Sequence, residues 1–492
     1  MRLACLYVPD FPLAAWLRGE PELRGAAVAV ADGATPRARV VAASEAARRR
    51  GVGEGMTAAQ ALAVASDLVV RAASADAERA AHAALADVAY SFSPRVEDGD
   101  PGTVWFDADG LGGLFASEHE LAQAALRRAA ACGLDAAVGL AGSKVSAELA
   151  ARDGGGCAVV PPREEWRLLA PLSLDLLAPP PALRETLRRW GIRTLGDLAA
   201  LPASAVATRL GPEAAALARR ARGEDAHPLA PRPLPLCFEE VSELDWGVDG
   251  LEPFLFVVRG LLDRLVARLE VRGLVCGDLR LSLGLVDRGR DERTVTVAAP
   301  SNAVKALLTL VRVQLEAHPP RAAVERVRLA AVPERLRAAQ LDLFRPAGPA
   351  PAQLAATLAR LGAMCGAGSV GAPAVADSHR PDAYALAPFT APSGAPVVAE
   401  APAAPPLAVR AVRPPQVLEV FCQRDRPDFV RADGCQGRVV SLAGPWRLAG
   451  EWWRPADALQ RDYYDAQLTD GGLYRLYYDP TRQQWFLDGV YD

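Results

Sequence analysis

The chain has 492 residues, more than one ordinary domain holds, so about three or four domains are expected. Apolar residues at 51% and charged residues at 23% exclude wholesale disorder. Lys+Arg 55 against Asp+Glu 59 leave a formal charge of −4, which excludes a chain basic overall but not a basic face on one domain.

Residues 1–165 alternate short apolar runs with amphipathic stretches. LACLYV at 3–8, AAVAVA at 26–31 and RVVAA at 39–43 read as strands, and the segments from Ser44, Thr57 and Ala73 read as helices. A strand at 103–109, a helix over 118–132, a strand at 134–141 and a helix at 143–152 follow, giving an α+β unit. Residues 166–227 hold only short helices, with turns expected at Gly191, Pro202 and Gly211 in a helix–hairpin–helix cadence. The first hairpin, Leu177-Ala178-Pro179-Pro180-Pro181, is poor in the amide donors that such hairpins offer a nucleic-acid backbone.

After a Pro-rich connector at 228–235, residues 236–335 read strand, helix, strand, strand, helix, strand, the βαββαβ order of a split ferredoxin-like motif. Its strands alternate charged and apolar residues, so one face packs the helices and the other is wet. Arg280, Arg326 and Arg328 on that wet face are candidate phosphate contacts. Residues 345–416 are Gly-, Pro- and Ala-rich with one short helix candidate, and 386–416 reads as a semi-extended linker. The tail, 417–492, is crowded with aromatic residues from Trp446 to Tyr491, and its last two apolar runs suggest a β-hairpin. Such density implies a small β core, a partner surface, or both.

No apolar run approaches the roughly 20 residues of a membrane span, and the start carries no pattern of a secretory signal. Eight cysteines form no CxxC pair and five histidines form no metal-binding grouping, so reduced thiols, a cytoplasmic location and no histidine-based metal site are expected.

The domain order resembles the Y-family, or translesion, DNA polymerases over about residues 1–335: palm and fingers at 1–165, a helical thumb at 166–227, and a little finger at 236–335. The residues carrying the resemblance are Leu23-Arg24-Gly25 before AVAV, Ser44-Glu45-Ala46-Ala47-Arg48 before Gly51-Val52, and Val138-Gly139-Leu140 before Ser143-Lys144-Val145. It implies that Arg48 is a vestigial triphosphate contact and that Lys144 is a DNA-binding candidate. Glu45 replaces a family tyrosine.

Nucleotidyl transfer needs two divalent ions held by converging carboxylates. The family's acidic positions fall here on Tyr7, Pro9, Gly102 and Thr103, so all the expected ligands are lost. Asp10, Asp107 and Asp109 are the nearby acids that a rearranged site would have to use. The resemblance therefore implies an inactive branch of the family, of the kind found in bacterial mutasome cassettes, with no cofactor. It would scaffold damage-induced (SOS) error-prone synthesis by joining the sliding clamp, a RecA-like accessory protein and a DnaE-type polymerase on DNA. The alternative is an active low-fidelity polymerase using Mg²⁺ in a rearranged site. Gln340-Leu341-Asp342-Leu343-Phe344, just past the last little-finger strand, matches the bacterial sliding-clamp pentapeptide. Its glutamine amide both donates and accepts, and its Leu-Phe pair suits an apolar pocket.

Overall fold

The computed structural model describes residues 1–335 apart from 154, 234, 235, 298 and 299, parts of 354–387, and residues 408–451 and 458–491. Gln340, Leu341, Asp342, Leu343 and Phe344 lie outside the described residues, as do Trp452 and Trp453. The chain divides into two compact units, Met1–Met364 and Cys365–Asp492.

In chain order the first unit opens with β1 (Leu3–Tyr7), α1 (Phe11–Gly19), β2 (Val28–Ala31), β3 (Val40–Ala43), α2 (Glu45–Arg49), α3 (Ala58–Val64), β4 (Val69–Ala72) and α4 (Ala75–Tyr90). It continues with β5 (Val96–Asp98), β6 (Thr103–Asp107), α5 (Glu118–Ala131), β7 (Ala137–Ala141), α6 (Lys144–Arg152) and β8 (Cys157–Val159). Helices α7 (Glu165–Leu169), α8 (Pro181–Arg189), α9 (Leu195–Ala199) and α10 (Ala203–Ala221) follow, the last broken at Gly211, whose φ of 85° no helix accommodates. Then come β9 (Phe238–Val248), α11 (Leu251–Val271), β10 (Leu274–Leu285), β11 (Arg290–Val295), α12 (Val304–Ala317) and β12 (Val324–Arg335).

The first sheet runs β5-β6-β1-β7-β8 and a smaller one runs β3-β2-β4. β1 is central and buried on both faces, so it is apolar throughout (Leu3, Ala4, Cys5, Leu6), as a strand with no wet side must be. Ala4, Leu6, Val104 and Phe106 face α4 and α5, whereas Cys5, Tyr7 and Trp105 face α6. Ser44, Thr57, Ser74, Ser117 and Ser143 each accept a backbone N–H at a helix start, which fixes where five helices begin.

Strands β9 to β12 form a sheet in the order β11-β10-β12-β9, all antiparallel, with α11 and α12 on one face. Leu279, Leu281 and Leu283 point into that core with Val327 and Leu329, and the intervening residues point out. None of the described helices is long and apolar enough to cross a membrane.

The second unit holds a short hairpin, β13 (Ala372–Val375) with β14 (Tyr384–Ala387), and a closed antiparallel barrel. The barrel strands are β15 (Val409–Gln423), β16 (Arg426–Ala432), β17 (Cys435–Gly450), β18 (Leu459–Leu468), β19 (Leu473–Asp479) and β20 (Gln484–Tyr491), closed by β15 against β20. Two sequence expectations change here. Residues 409–416, read as linker, belong to a barrel strand, and 372–387 carries a hairpin. Part of the aromatic density of the tail is core: Tyr464, Tyr474, Tyr477 and Phe486 are buried, whereas Phe421 and Trp446 are exposed.

Candidate catalytic corner and nucleic-acid contacts

Strand β1 runs antiparallel to β6 with Tyr7 opposite Thr103, and the Val8 amide donates to the Gly102 carbonyl at 2.8 Å. Tyr7, Pro9, Gly102 and Thr103, the positions to which the resemblance carries the metal ligands, are therefore brought into one corner. None of them carries a carboxylate. Gly102 has φ 85°, and a Cβ built there would come within 2.8 Å of the Phe11 ring, so the first ring of α1 occupies the space a longer side chain would need. Tyr7 lies under the Arg152 guanidinium, 4.8 Å from its ring centroid.

The nearby acids are spoken for. Asp10 occupies the N-cap position of α1 in a left-handed conformation (φ 46°) without capping it, and its carboxylate instead accepts from Arg48 at 2.7 Å. Asp107 lies at the opposite end of β6, paired with Leu3, about 13 Å along the strand from Thr103. It accepts from Arg95 at 2.6 Å and from the Asp109 amide at 3.0 Å. Asp109 is exposed beside the N-terminal amine, 3.7 Å away. Asp107 and Asp109 thus do not converge on the corner, and among the described residues no group of three or more His, Cys, Asp or Glu side chains stands ready to hold a metal. The residues present do not fit a pair of divalent ions, which need several converging oxygen ligands.

The cations around the corner are neutralised from within the chain. The hydrogen bond that Arg48 donates to Asp10, with Asp10, Glu54 and Glu45 as neighbouring charges, raises the pKa of Arg48 above the usual arginine value. Lys144 donates to Glu97 at 2.5 Å and stacks over Trp105, and Arg152 pairs with Glu148 at 2.9 Å. The backbone amides of Lys144 and Val145, which would greet an anion at the start of α6, donate instead to the Asp225 carboxylate at 2.9 Å each. Glu45 pairs with Arg49 one turn along α2.

On the outer face of the second sheet the three arginine candidates separate. Arg328 is paired with Glu239 at 3.0 Å, and Arg326 with Glu243 at 3.6 Å and with Asp76 of α4. Register explains this: β9 lays its acidic residues against β12, with Arg326 opposite Glu243. Arg280, on β10, is exposed and makes no ion pair among the described residues. Of the four DNA-binding candidates, only Arg280 is without an ion pair among the described residues.

Sequence reasoning missed the most heavily charged feature of this unit. Arg18 of α1 grips Glu240 of β9 with both terminal nitrogens at 2.7 and 2.8 Å. Arg264 and Arg268 of α11 reach the same carboxylate at 3.2 and 3.1 Å. Arg268 also donates to Asp87 of α4 at 2.9 Å, and Arg272 joins it there at 3.0 Å. Glu240 is 1% exposed. Burial pushes its carboxyl up, but Arg18, Arg268 and Arg264 outweigh burial and bring it down to about 2. At Asp87, burial prevails over Arg268 and Arg272 and holds the carboxyl above its usual range. The network joins residues 1–165 to residues 236–335 by a polar bridge in which Arg18, Asp87, Glu240 and Arg268 are buried and Arg264 and Arg272 half-buried.

Residues 6–152 match the impB/mucB/samB family. The chain as a whole is similar to Protein ImuB of Caulobacter vibrioides, 28% identical over 461 residues that cover 90% of this chain and 100% of that protein. DNA polymerase IV of Dehalococcoides mccartyi is 34% identical over 220 residues, 42% of this chain and 55% of that polymerase. Among solved structures, DinB from Sulfolobus solfataricus aligns with a TM-score of 0.41 and 17% identity, covering 68% of this chain and 100% of that one.

Proposed function

We propose that this chain is a non-catalytic Y-family polymerase homologue that scaffolds damage-induced, error-prone translesion synthesis in the cytoplasm. It links the sliding clamp, a RecA-like accessory protein and a DnaE-type polymerase on DNA, and needs no metal cofactor. The observation that carries this reading is the corner itself. Where two metal ions would need carboxylates stand Tyr7, Pro9, Gly102 and Thr103, and Arg48, Lys144 and Arg152 are each bound by the chain's own acids. Similarity to Protein ImuB along 90% of the chain supports it. In this reading Gln340, Leu341, Asp342, Leu343 and Phe344 tether the clamp, Arg280 contributes to DNA binding, and the barrel docks the other proteins.

A pull-down tests the scaffold. The full chain and a truncation after residue 407, which removes the barrel without cutting β15, are immobilised and probed for the three proteins. The full chain is expected to retain all three, and the truncated chain the clamp alone. Failure of the full chain to hold any of them sinks the scaffold reading. Undiminished capture by the truncated chain moves the docking site off the barrel.

A further inference from the structure

Eight arginines of the barrel, Arg410 and Arg461 apart, fall into two sets. Arg413, Arg447, Arg475 and Arg482 are paired with Asp488, Asp462, Asp465 and Asp479 at 3.0, 2.7, 2.9 and 3.8 Å. Arg424, Arg426, Arg431 and Arg438 make no ion pair among the described residues, and all four lie on β16, its preceding turn, or the first part of β17. The aromatic residues divide in the same way. Tyr464, Tyr474, Tyr477 and Phe486 are buried, but Phe421 of β15 and Trp446 of β17 are exposed, and the Phe421 ring lies 6.2 Å from that of Phe429, tilted by 59°.

The hydrogen-bonded ladder puts both sets on one surface. Phe421 stands opposite Phe429, and Phe429 opposite Arg438. The adjacent row is Glu419, Arg431 and Gln436. Directly opposed residues share a sheet face, and the alternate residues Leu418, Val430 and Cys435 are buried inside the barrel. The exposed Phe421 ring, the half-buried Phe429 ring and two guanidinium groups without an ion pair among the described residues therefore share the outer face. Glu419 is the one carboxylate in these rows, half-buried Asp428 stands on β16 where its register against β15 shifts, and Asp425 and Asp433 belong to the turns at the two ends of β16.

We propose that the outer face of β15, β16 and β17 binds single-stranded nucleic acid, with bases stacking on Phe421 and Phe429 and phosphates meeting Arg426, Arg431 and Arg438. Every base offers a π-face, so exposed rings beside unpaired cations make a sequence-tolerant platform for an unpaired strand. A duplex hides its base faces and gains nothing from the rings. A protein partner would call for a contiguous apolar centre. Here the exposed Val417, Phe421 and Val440 are separated by Glu419, Arg431 and Arg438. This role goes beyond the scaffold reading and does not depend on it.

The test titrates the full chain against labelled oligo-dT and, in parallel, a hairpin duplex, following fluorescence anisotropy at two salt concentrations. Phe421→Ala is expected to weaken oligo-dT binding about tenfold, and Phe421→Trp to retain it. The Arg431→Ala/Arg438→Ala variant is expected to weaken it by a similar factor and to flatten its salt dependence. Duplex binding should not change in any variant. Ultraviolet cross-linking of oligo-dT to the wild-type chain should label a peptide within residues 417–438, a readout that needs no variant to fold. Four results each overturn the proposal: no binding of oligo-dT by wild type, affinity untouched in both alanine variants, an equal loss for the duplex, or cross-links only outside residues 409–491. Loss of a captured protein with oligo-dT affinity intact makes the face a protein interface instead.

Discussion

Replacing Glu240 by glutamine is expected to destabilise the chain by about 3–5 kcal/mol, the usual cost of removing one partner from a buried ion pair. The change leaves Arg18, Arg264 and Arg268 facing one another around a neutral amide. Urea unfolding of wild type and Glu240→Gln, followed by tryptophan fluorescence, measures the effect. A difference below about 1 kcal/mol would mean the network is solvated and contributes little. The pH dependence has a definite sign. A carboxyl at about 2 in the folded chain lies below its ordinary value, so its contribution is complete above about pH 4.5 and is lost as the pH falls toward 2. Asp87, whose pKa is raised, acts in the opposite sense: its contribution is lost as pH rises through its folded value. The decline between pH 4.5 and 2 should be steep in wild type and shallow in Glu240→Gln.

The second large effect concerns clamp binding. A short peptide that fills an apolar pocket concentrates its energy in a few anchors, each worth about 2 kcal/mol or more on truncation. Changing Leu343 and Phe344 together to alanine should therefore weaken clamp binding by about two to three orders of magnitude. Residues 340–344 follow the last strand of the sheet, which ends at Arg335, so the melting temperature should stay within a degree or so of wild type. Titration of both proteins against clamp, with melting curves recorded alongside, checks this. Intact affinity, or a large drop in melting temperature, would assign Leu343 and Phe344 to the packed core.

Long periodic segments were legible in the sequence. The helix expected over LEPFLFVVRGLLDRLVARLEV spans Leu251–Val271, because its apolar stripe repeats at helical spacing for five turns. The strands at 69–72, 96–98 and 157–159 escaped notice, since three or four residues are too few to display a period of two. The barrel begins at Val409, before the expected 417, because Pro414 and Pro415 read as linker residues. They fall where β15 slips its register against β20 between Ala411 and Gln416, a place where the ladder asks no amide of them. That Tyr7 and Thr103 would be neighbours was legible, because the two strands that carry them pair along their whole length. What filled the corner was not: the Phe11 ring against Gly102, and Asp225 at the start of α6, are contacts between residues distant in the chain. The ionic bridge was hidden for the same reason. Arg264, Arg268 and Arg272, four residues apart, look like the solvated stripe of α11, and only the docking of α1, α4 and β9 buries them.

The central claim, a polymerase-like domain without polymerase chemistry, is tested most directly by primer extension. Purified full chain is incubated with a primed template, all four deoxynucleotides and Mg²⁺ or Mn²⁺, beside Asp10→Ala, Asp107→Ala and Asp109→Ala variants. The account predicts no elongation with any of these proteins, because Tyr7, Pro9, Gly102 and Thr103 hold no metal ion. Elongation by the wild type that disappears in the Asp10→Ala variant would contradict it and establish an active polymerase with a rearranged metal site.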